Sequence, residues 1–480
     1  MTQNDSRPAD TDDRSLRILL WLVAVGFFMQ TLDGTIVNTA LPAMARDLNE
    51  SPLRMQSVIV AYSLTMATLI PISGWLADRF GTRRIYLGAI LVFVLGSLLC
   101  GMAGSLRELV LARVIQGAGG ALLLPVGRLS VLRAYPKEQF LAAMSFVAIP
   151  GLVGPLLGPT LGGWLTEAAS WHWVFLVNVP VGLIGWLAAM RYLPDFRGEG
   201  RVRLDVAGYL LLALSMVMVS LSVDGVHSYG LPVVAAVVML VSGLACLAAY
   251  FVRASRQEQP LFPLGLFKVP SYTIGLLGNL FSRLGSSAMP FLVPLLLQLG
   301  MGYSPAQAGM MMLPMAMAGM LVKRIATGTI TRYGYRQVLV TNTVLLGLLI
   351  ASFALVPLYQ GVGWMLLHLA LFGACNSVQF TAMNALTLHD LDPHQASSGN
   401  SLFSMMQMLA MSLGVALAGA VLGGFSDWLQ IDDHGQEVVL ALQGTYVCMG
   451  LMTLASTWIF WQQSPGSRLT RKLQQLDLPE

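Results

Sequence analysis

One carboxylate stands inside a membrane-length apolar run. Asp33 lies past the midpoint of the stretch from about 18 to 40, and roughly 20 apolar residues suffice to cross a bilayer. A carboxylate at that depth is costly and belongs by default to a proton or ion path. Gln30, Thr35, Asn38 and Thr39 add polar positions to the same run. Asn38 lies five residues beyond Asp33, about 140° further round a helix at ~100° per residue. The polar strip is therefore broad and needs a wet interior to face. Two cations, Arg113 and Arg283, also fall within apolar runs. Low dielectric favours the neutral form of an acid, and a positive neighbour opposes this. A carboxylate that meets and leaves an arginine can thus switch its proton affinity. In the first half of the chain the pair able to do so is Asp33 with Arg113.

The elements that would position these residues follow from composition. Of 480 residues 55% are hydrophobic and 11% charged, and mean hydropathy is +0.68. Soluble domains carry about 25% charged residues, so this is a polytopic membrane protein. Its net charge of +4 is no sign of a nucleic-acid partner, because loop asymmetry carries the information. Fourteen spans are expected, at roughly 18–40, 56–77, 85–104, 108–127, 141–163, 173–193, 205–223, 231–252, 271–295, 306–327, 338–357, 363–386, 399–424 and 439–461. With the N-terminus inside, 23 of the 28 Lys and Arg residues fall in cytoplasmic tails, loops or the span ends beside them. Arg46, Arg54 and Arg107 fall outside. A missed span would scramble this positive-inside alternation. The four cysteines are scattered through apolar runs and suggest no disulfide framework or metal set. H-E-x-x-H, G-x-S-x-G and phosphate-loop motifs are missing from the sequence, so neither an enzyme nor a cofactor is expected. His389 to His394 reads as a turn and helix start, and Asp432-Asp433-His434 as a solvated loop.

The first cytoplasmic loop reads Gly74-Trp-Leu-Ala-Asp78-Arg79-Phe-Gly81-Thr-Arg83-Arg84. Gly81 suits the tight turn, the arginines suit the headgroup region, and Asp78 can bond free N–H groups at a helix start. The order G-x-x-x-D-R-x-G-x-R-R resembles the signature loop of the major facilitator superfamily. Arg113-Val-Ile-Gln116-Gly-Ala-Gly-Gly in the fourth span is similar to a second motif of that family. Gly151, Gly154, Pro155, Gly158, Pro159, Gly162 and Gly163 in the fifth span resemble its exporter motif. Leu32 to Pro42, and Trp171-His-Trp173 to Asn178-Val-Pro180, resemble its fourteen-span drug:proton antiporters. That subfamily usually has Arg where His172 stands.

The resemblance implies an all-α integral membrane protein of the major facilitator fold. Two six-helix bundles, 18–193 and 271–461, would flank a linker, 194–270, that carries two extra spans; 1–17 and 462–480 would be cytoplasmic tails. It also implies a monomeric, proton-coupled exporter of the bacterial inner membrane. Its partners would be a small molecule, protons and lipid, and its site would lie between the halves. Gln30, Asn38, Gln116, Asn279, Arg283, Asn376 and Gln379 are the polar candidates for that cavity. Gly151, Gly154, Gly158 and Gly162 are spaced three, four and four, so they share one face that another helix can approach. Pro155 and Pro159 favour a kink there, which suits a gate. The second half is a degraded copy: Thr331 stands where Asp78 stands. The two extra spans show no convergent polar face, which puts them outside the working core. Glu167 reads as a solvated rim residue, and Trp171 and Trp173 as interfacial anchors.

Overall fold

The computed structural model describes residues 13–198, 204–358, 361–429 and 436–463. It is built from helices that follow the apolar runs. These are α1 (Asp13–Ile36), α2 (Gln56–Leu69), α3 (Thr82–Cys100), α4 (Leu106–Ala134), α5 (Lys137–Ala168), α6 (Asn178–Tyr192), α7 (Val206–Tyr229), α8 (Val233–Ala254) and α9 (Pro270–Ser286). There follow α10 (Pro305–Met311), α11 (Leu313–Leu321), α12 (Lys323–Ser352), α13 (Val362–His389), α14 (Pro393–Leu429) and α15 (Gln436–Ala455). In the hydrocarbon a backbone must satisfy its own hydrogen bonds, and helices do so. We call the end where α1 begins proximal and the opposite end distal.

Among the described residues 13 helical segments are long and apolar enough to cross a membrane. The fourteenth, residues 305–333, is broken. It comprises α10, α11 and the start of α12, with interruptions at Met312 and Val322. Pro305 and Leu313-Pro314 start its pieces, since proline is tolerated in the first turn of a helix. α12 turns back within itself at Gly334, whose φ of +78° is open to glycine at little cost.

The extra spans correct the sequence reading. α7 runs six residues beyond the expected end and stops at Gly230 in the left-handed conformation. The extension adds Asp224 and Ser228 to the face of Ser220, and all three are buried. This face is polar and packs against α2 and α14. α8 is the smooth partner, with Val233, Val234, Val237 and Val241 exposed, as a lipid-facing helix should be.

The glycine face of α5 also departs from the gate expectation. A Cβ on Gly151, Gly154, Gly158 or Gly162 would meet Phe27, Thr31, Thr35 and the Ile36 carbonyl respectively. That face therefore seats α1 of the same bundle. Gly163 alone of the motif's glycines faces the second half, where a Cβ would strike the Pro305 carbonyl oxygen. Gly309 reciprocates against the Pro159 carbonyl. α5 runs helically through Pro150, Pro155 and Pro159.

Candidate functional site

Asp33 sits in the last turn of α1 and is fully buried (0% exposed). Its Oδ2 accepts from Arg113 Nη1 of α4 at 2.6 Å. Its Oδ1 accepts from Gln116 Nε2 at 2.7 Å and from Asn178 Nδ2 at 3.0 Å. Arg113 and Gln116 are three apart on α4, so they share a face, and Arg113 Nη1 also reaches Gln116 Oε1 at 2.7 Å. Arg113 Nε donates to the Val58 carbonyl at 3.2 Å. Its guanidinium lies 4.1 Å from the Tyr62 ring centroid, an attractive arrangement for a cation over a π face. Gln116 Nε2 additionally reaches Ser97 Oγ at 2.8 Å. The result is one negative and one positive charge, mutually compensated and sealed inside the first bundle. Such a pair adds little net stability but is expensive to break.

Asn178, Ser97 and Tyr62 were not singled out by composition or spacing. Asn178 opens α6 in the Trp-x-Trp…Asn-x-Pro motif, which was read for kinship and not for chemistry. Its amide is the one contact that ties α6 to the carboxylate.

The polar strip of α1 divides. Asp33 turns into the bundle, whereas Gly34, Thr35 and Asn38 line a cavity of about 120 Å³ between the halves. Across it stand Arg283, Ser286 and Ser287 from α9 and its C-cap, with Asn376 from α13 and Phe291. Among the described residues no acidic side chain lines this cavity. Arg283 lies 5.1 Å from the Phe380 ring centroid. Pockets for drug-sized ligands run to roughly 300–1,000 Å³, so a substrate of that size needs the halves to part.

Of the seven residues expected in the cavity, Asn38, Arg283 and Asn376 line it. The other four do not. Gln116 serves Asp33. Gln379 lies in the core of the second bundle, where its Nε2 donates to Ser282 and Thr343 hydroxyls at 3.3 and 2.7 Å. Asn279 is fully buried, and both its amide atoms lack a hydrogen-bond partner. Gln30 also stays off the cavity, with a buried Oε1 lacking a partner. An amide in an apolar run has no preferred side, and neighbouring helices decide which way it points. Like Gln116, Gln379 ties helices together inside its bundle, but its partners Ser282, Thr343 and Asn342 are all neutral.

The distal end closes the cavity. α1 stops at Ile36 and leaves the Thr39 carbonyl free, which accepts from Gln298 Nε2 of the second half at 2.9 Å. Thr160 donates to the Gly309 carbonyl at 3.2 Å. The Ala306 N–H donates to Glu167 at 3.1 Å. Glu167 is exposed, as a rim residue should be, and it also bridges the halves at a helix start, where a carboxylate is favoured. Trp171 is buried and donates to Asp47 at 2.8 Å, so it is no interfacial anchor. Trp173 is half exposed.

At the proximal end Gly81 makes the turn with a φ of +95°. Gly74 has open space around it, and Arg79 and Arg84 are exposed. Asp78 does not cap a helix. It lies within the helix Ser73–Phe80 and pairs with Arg133 at the end of α4. The Asp78 carbonyl accepts from Gly198 N–H at 3.1 Å, and Thr82 N–H donates to the Phe196 carbonyl at 2.9 Å. Arg83 N–H reaches Asp195 at 3.2 Å, while its guanidinium donates to the Met190 carbonyl. The loop thus fastens the chain leaving α6. In the second copy, Thr331 donates to its own helix, to the carbonyls of Thr327 and Gly328. The cluster at Asp432 to His434 lies outside the described residues.

A family model described as Major Facilitator Superfamily matches residues 23–415. Relatives named MdtD, with multidrug resistance in the name, occur in Pectobacterium atrosepticum and Pectobacterium carotovorum subsp. carotovorum. The first is 49% identical, covering 96% of this chain and 100% of the relative. The second is 52% identical, covering 93% and 95%. Among solved structures, a D-xylose-proton symporter superposes with a TM-score of 0.66 at 15% identity, covering 94% of this chain and 99% of that one. A POT family transporter gives 0.67 at 16% identity, covering 93% and 95%. At these identities the structures speak for the fold alone. The family model and these relatives place the chain in the major facilitator superfamily, a membrane transporter and not an enzyme.

Proposed function

We propose that the protein is a proton-coupled exporter that works by alternating access across the bacterial inner membrane. The carrying observation is the buried Asp33, held by Arg113, Gln116 and Asn178 behind a cavity whose distal end is closed by hydrogen bonds between the halves. In this reading the proximal end is cytoplasmic, both termini included, and the protein acts as a monomer. A proton entering from the distal side neutralises Asp33, loosens its hold on Arg113 and Asn178, and lets α1 and α6 shift. Release to the proximal side restores the pair. Residues 18–193 and 271–461 are the two rocking bundles, and the names of the relatives point to multidrug efflux. Everted vesicles carrying the protein should accumulate substrate when energised, and collapse of the pH gradient should abolish this. Uptake that survives collapse of the gradient contradicts the proposal. Orientation has its own check. Phosphatase fused after Ser228 should be active and after Arg256 inactive; the reverse pattern would invert the topology.

A second reading of the substrate rests on the cavity wall. With Asp33 compensated by Arg113, Arg283 gives the cavity a net positive charge and nothing acidic faces it. That favours a small organic anion or an anionic metal chelate. Arg283→Lys keeps the charge but loses the planar fork, so it should weaken anion binding. Arg283→Ala should weaken it further, while transport of a cationic substrate holds or improves. Equal losses for both substrate types would make Arg283 a structural residue.

A further inference from the structure

The extra spans carry a second buried carboxylate. Asp224 of α7 is 1% exposed, and its Oδ1 accepts from Ser228 Oγ at 2.7 Å and from Gln56 Nε2 at 3.3 Å. Gln56 begins α2 in the first half and is itself fully buried. Its Nε2 also donates to Ser228 Oγ at 2.8 Å. On its other side α14 of the second half presses close: a Cβ on Gly419 would lie 2.5 Å from the Gln56 Cδ. One turn back along α7 the tie repeats, with Ser220 and Ser412 of α14 in hydrogen bond at 3.2 Å. Arg54, paired with Glu50 at 2.7 Å, donates to the Ser228 carbonyl at 3.2 and 2.6 Å. A single glutamine thus joins α2, α7 and α14 at the distal end. Two halves that rock apart there must open this junction.

We propose that Asp224 is a second proton-binding site, one that latches the distal gate. It rests on the alternating-access reading above. Ionised, Asp224 makes charge-assisted bonds, which are roughly twice as strong as neutral ones, and α7 clasps α2 against α14. A proton taken from the distal side neutralises the acceptor, weakens its bonds to Gln56 and Ser228 and frees the gate to open. The proton comes off again when the junction re-forms, so no covalent step is involved. Among the described residues the charged and titratable groups nearby are Arg54 and Glu50 beside α2 and Tyr229 on α7; His227 follows Asp224 three residues on in the sequence. α14 presents Gly419 and Ser412 here; its Asp427 is eight residues further on, about 12 Å along the helix at 1.5 Å per residue. The device makes distal opening answer to distal acidity, and it gives the extra spans a task.

The test measures distal opening directly. Spin labels on Met102→Cys and Val362→Cys, both exposed at the distal end, report the separation of the halves by pulsed electron resonance. The background has the four native cysteines replaced by alanine, with the full chain in nanodiscs. In the parental protein the longer distance should gain population as pH falls. Asp224→Asn should show the longer distance at every pH, and Asp224→Glu should keep the pH response with a shifted midpoint. His227→Gln should keep it as well. If Asp224→Asn retains the parental response, or if His227→Gln alone abolishes it, the proposal is overturned. Asp33→Asn separates the two accounts: it should lose driven transport while its distal distances still respond to pH.

Discussion

Asp33→Asn should destabilise the protein by about 3–5 kcal/mol, the cost of leaving a buried charge uncompensated. Arg113 would remain at 1% exposure, with the Val58 carbonyl, Gln116 and the Tyr62 face as its remaining contacts. An arginine cannot shed its proton in a protein, so the charge stays. Arg113→Gln should cost less. There the group left behind is a carboxyl, which unlike a guanidinium has a neutral form open to it, and it keeps Gln116 and Asn178 beside it. The double change Asp33→Asn with Arg113→Gln should recover most of the loss, because it removes both charges at once. Denaturation midpoints of the purified proteins in detergent give the three numbers. The account fails on this point if Arg113→Gln is the worse of the single changes, or if the double change is no better than Asp33→Asn.

The glycines of α5 should divide into two groups. Gly158→Leu puts a side chain where Thr35 Oγ1 would be 2.1 Å and the Ile36 N 3.1 Å from its Cβ. The backbone of α1 cannot yield there without prying the first bundle open. Overpacking of this kind costs about 1–3 kcal/mol or more, and the yield of folded protein should drop several-fold. Gly163→Leu instead strikes the Pro305 carbonyl across the halves. Both bundles can fold around it, but the distal end cannot shut. Folded yield should stay near parental while transport falls to background. Size-exclusion profiles and vesicle transport, taken together, check this. Parental transport by Gly163→Leu would show that distal closure does not depend on that approach.

These residues also mark how far the sequence could be read. Asp33, Arg113 and Gln116 were legible because charged groups in hydrocarbon are rare and the spacing of Arg113 and Gln116 fixes a shared helix face. The face formed by Gly151, Gly154, Gly158 and Gly162 was legible for the same reason. Its partner was not: spacing says which residues align, not which helix arrives. The side taken by Gln379 and Asn279 was hidden likewise, for it depends on the tertiary neighbours of α13 and α9. Asp224 was missed at a boundary. Hydropathy fades around it, but the helix persists to Gly230, where the backbone turns left-handed. The breaks at Met312 and Val322 were legible only in part: Pro314 follows the first and Lys323-Arg324 the second, but neither signal says that the helix is interrupted there.

The central claim is that a proton on Asp33 drives transport. The most direct measurement isolates the folded fraction of Asp33→Asn protein by size exclusion and reconstitutes it in proteoliposomes, with a substrate that the parental protein carries. An imposed pH gradient is compared with counterflow of preloaded substrate. The parental protein should do both. Asp33→Asn should exchange substrate by counterflow yet give no accumulation driven by the gradient. Accumulation driven by the gradient in Asp33→Asn, at anything near the parental rate, would contradict the account.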